Sequence, residues 1–234
     1  MNLKHYLAII SETIIFSLLT LPLVSCNIQS DQKNKRVKER LHALPFDRIT
    51  LNGVADVIYT QDTIFSVEVE GTRKGVGRTI VRWEGSKLAL DTKEVKKLGK
   101  INGDDENITI YVSSPDLIGI DSRGVGDFRS ARPVNSDTLV VMQKGVGDIH
   151  LDNLVCDRLQ VTLTGVGDFS AKGVNAQQSE LLLKGVGDIR VHFKQSDRVD
   201  VRSTGIGDIT VSGNMQKVFK SANGIGDVDV RVSQ

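Results

Sequence analysis

Six aspartates recur at near-constant spacing: Asp127, Asp148, Asp168, Asp188, Asp208 and Asp227. Each closes a tetrapeptide Gly-[Val/Ile]-Gly-Asp. Stacked into a column, with parallel strands ~4.8 Å apart, neighbouring carboxylates would repel by about 3–4 kcal/mol at an effective dielectric of ~20. Three kinds of chemistry could compensate. Each carboxylate could accept N–H bonds from its own glycine corner, as in an Asx-type turn. It could pair with a cation, and Arg123, Lys144 and Lys184 stand just before three of the motifs. Or the column could bind calcium, as shorter glycine–aspartate repeats do. Calcium takes roughly six to eight oxygens, and one carboxylate per turn supplies few. The structural turn is therefore the preferred reading, with no metal and no cofactor expected.

Other chemistry is sparse. His42, His150 and His192 share no repeat offset and show no ligand spacing. No Gly-x-Ser-x-Gly, His-Glu-x-x-His or phosphate loop is present. Cys156 has the character of a small buried hydrophobe more than of a nucleophile. With only two cysteines, Cys26 and Cys156, a disulfide scaffold is not expected. The net charge is +1 and aromatic residues make up 5%, which argues against nucleic acid as a partner.

The elements that position the aspartates follow from the repeat. The motifs start at Gly124, Gly145, Gly165, Gly185, Gly205 and Gly224, with second glycines at Gly126, Gly147, Gly167, Gly187, Gly207 and Gly226. A period of about 20 residues is the signature of a solenoid. Counting from the first glycine, apolar residues recur at offsets −6 and −4 (Leu139 and Val141) and at +4 and +6 (Ile149 and Leu151). That is period two, a strand with one buried face. Offset +1 is always Val or Ile, and Val125, Val146 and Val166 are expected to pile up inside. Glycines mark the corners between strands. A turn of this length leaves no room for crossover helices, so the turns must stack on one another. The predicted fold is all-β, a right-handed parallel β-helix, the hand taken from parallel crossovers generally.

Four segments follow. Residues 1–25 form a secretory leader: a basic start, an apolar run from Tyr6 to Val24, and Leu23-Val24-Ser25-Cys26 at its end. Residues 26–44 are polar and rich in Lys and Arg, expected to act as a solvated tether, or else as a basic patch for lipid headgroups. Residues 45–123 are irregular coils of the same solenoid, with short strands over 65–70, 80–83, 87–91 and 108–112 and a charged insertion over 93–107. Lys74-Gly75-Val76-Gly77 repeats the letters of the corner without its flanking register. Residues 124–234 are the regular repeats.

The ending Leu23-Val24-Ser25-Cys26 resembles the lipobox of bacterial lipoproteins, which implies an acylated Cys26 and a membrane anchor. The tandem corners, and the opening Phe46-Asp47-Arg48-Ile49-Thr50-Leu51-Asn52-Gly53-Val54-Ala55-Asp56-Val57, resemble the putative autotransporter adhesin head GIN domain family. That resemblance spans about Phe46 to Val232. It implies a right-handed β-helix in the envelope of Bacteroidetes-type bacteria, at the outer membrane. Arg78 in place of an aspartate and the charged insertion depart from the pattern. The expected role is a non-catalytic, adhesin-like surface for a glycan or protein. A purely structural, homo-oligomerising envelope protein and a polysaccharide-active enzyme are the alternatives.

Overall fold

The computed structural model describes residues 35–93 and 108–233. The leader, Cys26, the tether as far as residue 34, and residues 94–107 of the insertion lie outside the described residues. The chain folds as a parallel β-helix of about six turns of about 20 residues. In its regular part β12 (Leu154–Leu163), β13 (Phe169–Leu183), β14 (Ile189–Ser203) and β15 (Ile209–Ala222) follow one another around the coil. Equivalent residues stack in parallel: Val161 pairs with Leu181, Leu181 with Val201, and Ile189 with Ile209. β10 (Val134–Gln143), β11 (Ile149–Asp152) and β16 (Val228–Val232) continue the same stack.

Even offsets face inward. Val141, Val161, Leu181 and Val201 form one buried row, and Phe128, Ile149, Phe169, Ile189 and Ile209 form another. Val134, Leu154, Val174 and Phe193 fill the opposite corner. β-Branched and aromatic residues suit a pleated face that packs against its own copy one turn away. Offset −2 is also buried, a row the alternation implied and residue type concealed: Ser122, Gln143, Leu163, Leu183 and Ser203. Gln143 Nε2 donates to the Gly147 carbonyl at 2.5 Å.

Offset +1 does not face inward. Val125, Val146 and Val166 are 47%, 49% and 50% exposed, against the expectation that they pile up in the core. They still stack, joined turn to turn by parallel bridges running from Val54 to Ile225. The reason is parity. Strict alternation carried through the corner from −6 to +6 puts every odd offset outside, and +1 is odd. Apolar character alone had placed these valines inside.

The N-terminal half differs from irregular coils of one solenoid. β2 (Arg48–Leu51) and β3 (Asp56–Gln61) flank the corner Gly53-Val54-Ala55 and lie between two layers. On one side are β8 (Gly119–Ser122) and β9 (Phe128–Ser130). On the other are β6 (Lys87–Thr92) and β7 (Thr109–Ser114), also parallel. Beyond these the direction reverses. β5 (Thr79–Glu84) pairs antiparallel with β6. β4 (Ser66–Thr72) pairs antiparallel with β7, and β1 (Arg36–Leu41) with β4. β1 falls within the stretch assigned to the tether; its Arg36 and Lys38 meet Glu70 and Glu68 at 3.0 and 2.7 Å. The letters Lys74-Gly75-Val76-Gly77 are no corner: Arg73–Val76 is one helical turn, whose Gly75 N–H is capped by Thr72 Oγ1 at 3.1 Å. The three antiparallel strands cover sheet edges that would otherwise be open.

Burial predicts opposite costs for two aliphatic truncations one strand apart. Leu181→Ala removes a fully buried side chain and is expected to cost about 2–5 kcal/mol. Val166→Ala, half exposed, is expected to cost less than about 1 kcal/mol. Urea unfolding of both variants measures the difference.

Candidate functional site

The glycine corners set the site. A Cβ built on Gly145 would lie 1.9 Å from the carbonyl oxygen of Gly124, and one on Gly165 2.1 Å from that of Gly145. No side chain fits there. The second glycine meets the same obstacle, and its φ is positive as well, 134° at Gly167. The same close approach holds at Gly124, Gly126, Gly147, Gly185, Gly187, Gly205, Gly207, Gly224 and Gly226. The edge is therefore bare backbone from turn to turn. Its N–H groups are bonded across turns, for example Val166 N to the Gly145 carbonyl at 2.9 Å and Gly167 N to the Val186 carbonyl at 3.0 Å.

The aspartate column forms, and its compensation differs from each expectation in detail. Each carboxylate from Asp127 to Asp208 accepts the backbone N–H of the aspartate one turn later, not one from its own corner. Asp148 N donates to Asp127 Oδ1 at 2.9 Å, Asp168 N to Asp148 Oδ1 at 2.8 Å, and Asp188 N to Asp168 Oδ1 at 2.9 Å. Asp208 and Asp227 continue the chain at 2.7 and 2.8 Å. Asp56, outside the six motif aspartates, is the column's first member and accepts Asp127 N at 3.0 Å. Its signal was the aspartate of Gly-Val-Ala-Asp.

The cations are also different ones. Arg123 and Lys144 turn to Asp121, and Lys184 stands along the glycine edge, away from the column. Arg129 reaches Asp127 at 3.1 Å, and Arg190 bridges Asp168, at 2.8 Å, and Asp188. Both arginines sit two residues beyond an aspartate on one strand, so they share its outward face. Partial burial pushes the Asp127 and Asp168 carboxyls up. The backbone N–H of the next turn and the neighbouring arginine outweigh it and hold both below the ordinary value of 3.8. Among the described residues, no group of three His, Cys, Asp or Glu is placed to hold a metal ion. Burial pushes the Cys156 thiol up to about 12, leaving it a poor nucleophile.

Beside the column runs a shallow groove of about 570 Å³. Its floor is the first glycine of five turns. One wall is the aliphatic row Val146, Val166, Val186, Ile206 and Ile225; the other is Lys144, Thr164, Lys184, Thr204 and Asn223. On the neighbouring outward face, His150 Nδ1 lies 2.6 Å from Ser170 Oγ, and His150 Nε2 lies 3.8 Å from Asp148 Oδ2. Two turns further on and two residues along the strand, His192 Nδ1 lies 3.0 Å from Ser212 Oγ.

Comparison with known proteins gives a consistent picture. A family model described as "Putative auto-transporter adhesin, head GIN domain" matches residues 45–178 and 167–232. A putative adhesin from Bacteroides fragilis is 26% identical with a TM-score of 0.71, over 84% of this chain and 97% of that one. A putative adhesin from Parabacteroides distasonis is 15% identical with a TM-score of 0.56, over 85% and 98%. A putative lipid binding protein from the same organism is 17% identical with a TM-score of 0.56, over 82% and 96%. The last two show a shared fold. No curated protein matches the chain.

Two outcomes follow from the corner and its column. Gly165→Ala is expected to destabilise by at least about 3 kcal/mol, because backbone and not a mobile side chain blocks the methyl group. Gly85→Ala, with open space around it and only its positive φ to strain it, is expected to cost about 1–2 kcal/mol; thermal melts compare the two. The lowered carboxyls of Asp127 and Asp168 contribute stability that is complete above their ordinary value and is lost as pH falls through the folded one. The melting temperature is therefore expected to hold between about pH 7 and about pH 5 and to drop below about pH 4. Asp168→Asn, which keeps an oxygen for the Asp188 N–H, is expected to flatten part of that drop.

Proposed function

Because this chain belongs to the putative auto-transporter adhesin, head GIN domain family, we propose that it is an adhesin-like, non-catalytic binding surface of the bacterial cell envelope for a glycan or protein partner. The observation that carries this reading is the groove along the glycine edge. It presents a continuous row of half-exposed valine and isoleucine on a rigid backbone. Exposed aliphatic rows rimmed by polar residues are characteristic of interaction sites.

Recognition suits this surface better than catalysis. Asp148, His150 and Ser170 lie in order on an open face. Acyl transfer also needs donors aimed at a developing oxyanion. The backbone N–H groups nearby are already committed: Gly167 N to the Val186 carbonyl at 3.0 Å and Phe169 N to the Asp188 carbonyl at 2.9 Å. We further propose that Cys26 is acylated and ties the protein to the outer membrane. The support is Leu23-Val24-Ser25-Cys26 behind an apolar leader. Several acyl chains hold a protein to a bilayer where a single one binds only marginally.

The test pairs binding with labelling. Purified protein is applied to arrays of glycans and of extracellular-matrix proteins. The wild type is expected to bind a discrete subset, and Val146→Asp/Val166→Asp/Val186→Asp to bind none while keeping its far-ultraviolet circular dichroism. Binding unchanged in the triple variant, or reducing ends released from a polysaccharide substrate, would refute the reading. In cells fed labelled palmitate, the label is expected on the wild type and not on Cys26→Ser.

A further inference from the structure

We infer that the glycine-edge groove takes an extended anionic polysaccharide lying along the solenoid axis, one sugar unit to each turn; this rests on the binding role proposed above and names its ligand. Five successive turns present the same three groups in the same order: a polar side chain, a bare glycine floor and an aliphatic wall. The presentation repeats at the parallel-strand spacing of ~4.8 Å. That is close to the advance per unit of an extended β-linked pyranose chain. A polymer with this repeat meets an equivalent surface at every step.

Charge selects the sign of the ligand. The lining includes Lys144 and Lys184 and no Asp or Glu. The aspartate column lies beyond the aliphatic wall, on the side away from the lysines. The Oδ1 atoms of Asp148, Asp168, Asp188 and Asp208 are committed to the next turn's N–H groups, and Arg190 sits on Asp168 and Asp188. Among the described residues Lys184 has no acidic partner. Lys144 reaches Asp121 at 3.5 Å, but Arg123 takes that carboxylate too, and the Lys144 side chain stays 39% exposed. The two ammonium groups are two turns apart. In an extended β-1,4 chain successive units face opposite ways, so carboxylates on alternate units meet the same wall. Between the lysines, Thr164 Oγ1 donates to the Gln143 carbonyl at 3.2 Å. Its lone pairs remain to accept from sugar hydroxyls. The aliphatic row, 45–71% exposed from Val186 to Ile225, offers contact to the C–H faces of the rings.

Other occupants fit less well. An extended peptide binds a sheet through free edge N–H and C=O groups, and those of the corner are spent on adjacent turns. The open, shallow shape gives an acyl chain no enclosure.

Calorimetric titration with β-1,4-linked hexaglucuronate and with neutral cellohexaose tests the inference on the full chain. Hexaglucuronate is expected to bind at least about tenfold more tightly than cellohexaose, and to weaken as salt is raised. Affinity should grow with chain length up to about five units, one per lining turn, and then level off. Lys144→Gln/Lys184→Gln is expected to lose about tenfold, the worth of two exposed ion pairs. Lys172→Gln/Lys217→Gln, outside the groove, is expected to lose nothing. Equal binding of both hexasaccharides, no binding of hexaglucuronate, or an unaffected Lys144/Lys184 variant overturns the ligand class. So does a dimer in sedimentation equilibrium that Val166→Asp dissociates, since a second copy would then occupy the row. If the array ligand is still lost in the triple valine variant, the binding role stands and only the polysaccharide falls. If that variant binds the array as the wild type does, both fall.

Discussion

The structure depends on one close approach. At each corner the carbonyl oxygen of one glycine passes about 2 Å from where the next turn's Cβ would be, 1.9 Å at Gly145 and 2.4 Å at Gly205. Only glycine permits this, and the approach lets the corner backbone hydrogen-bond across turns instead of to water. Once corners stack at strand spacing, the strands on either side have no choice of register. A slip of one residue would turn the whole apolar set outward. The aspartates act on the same contact from outside. From Asp56 to Asp208 each Oδ1 accepts the N–H of the next aspartate, so each of these turns is tied to its successor by side chain as well as by ladder.

What was legible in the sequence was whatever repeats. The 20-residue period and the alternation at −6, −4, +4 and +6 lead directly to stacked parallel turns. The orientation of Val125 and its equivalents was legible in principle, since an unbroken alternation from −6 to +6 puts offset +1 outside. Judging those residues by hydrophobicity put them inside. Parity is the stronger constraint here, because the inward positions of the corner, offsets 0 and +2, have their side-chain space filled by neighbouring backbone. The buried row at −2 was hidden for the opposite reason. Ser122 and Gln143 do not look like core, yet they face inward with Leu163 and Leu183.

The N-terminal cap was not legible, because its partners are far apart in sequence. Lys38 and Arg40 looked like a solvated basic run when counted against nearby acids. Their counter-charge is Glu68, at 2.7 and 3.8 Å, about 30 residues on and reached only through antiparallel pairing of β1 with β4. These pairs are exposed and individually weak, so they fix the choice of partner more than they stabilise it. The cations of the aspartate column were missed on similar grounds. Sequence adjacency pointed to Arg123 and Lys144. Along a strand, the neighbour on the same face is two residues away, which is where Arg129 and Arg190 stand.

These constraints divide the residues of each turn into two classes. Offsets 0, +2 and the even inward rows are held by packing and backbone approach, and change there carries a structural cost. Outside the aspartate row at +3 and the aliphatic row at +1, the outward positions beside the corner carry no such burden, and it is there that the turns differ. Offset −1 runs Arg123, Lys144, Thr164, Lys184, Thr204, Asn223. Offset +5 runs Arg129, His150, Ser170, Arg190, Thr210, Asp229. Offset +1 stays aliphatic although it is half-exposed, and its residues stack turn on turn through parallel bridges, a position that suits β-branched side chains. A half-exposed position on an outward face tolerates a polar residue at little cost in stability. The aliphatic side chains at Val54, Val125, Val146, Val166, Val186, Ile206 and Ile225 thus form one apolar stripe along the corner, in contact between turns and open on its outer side.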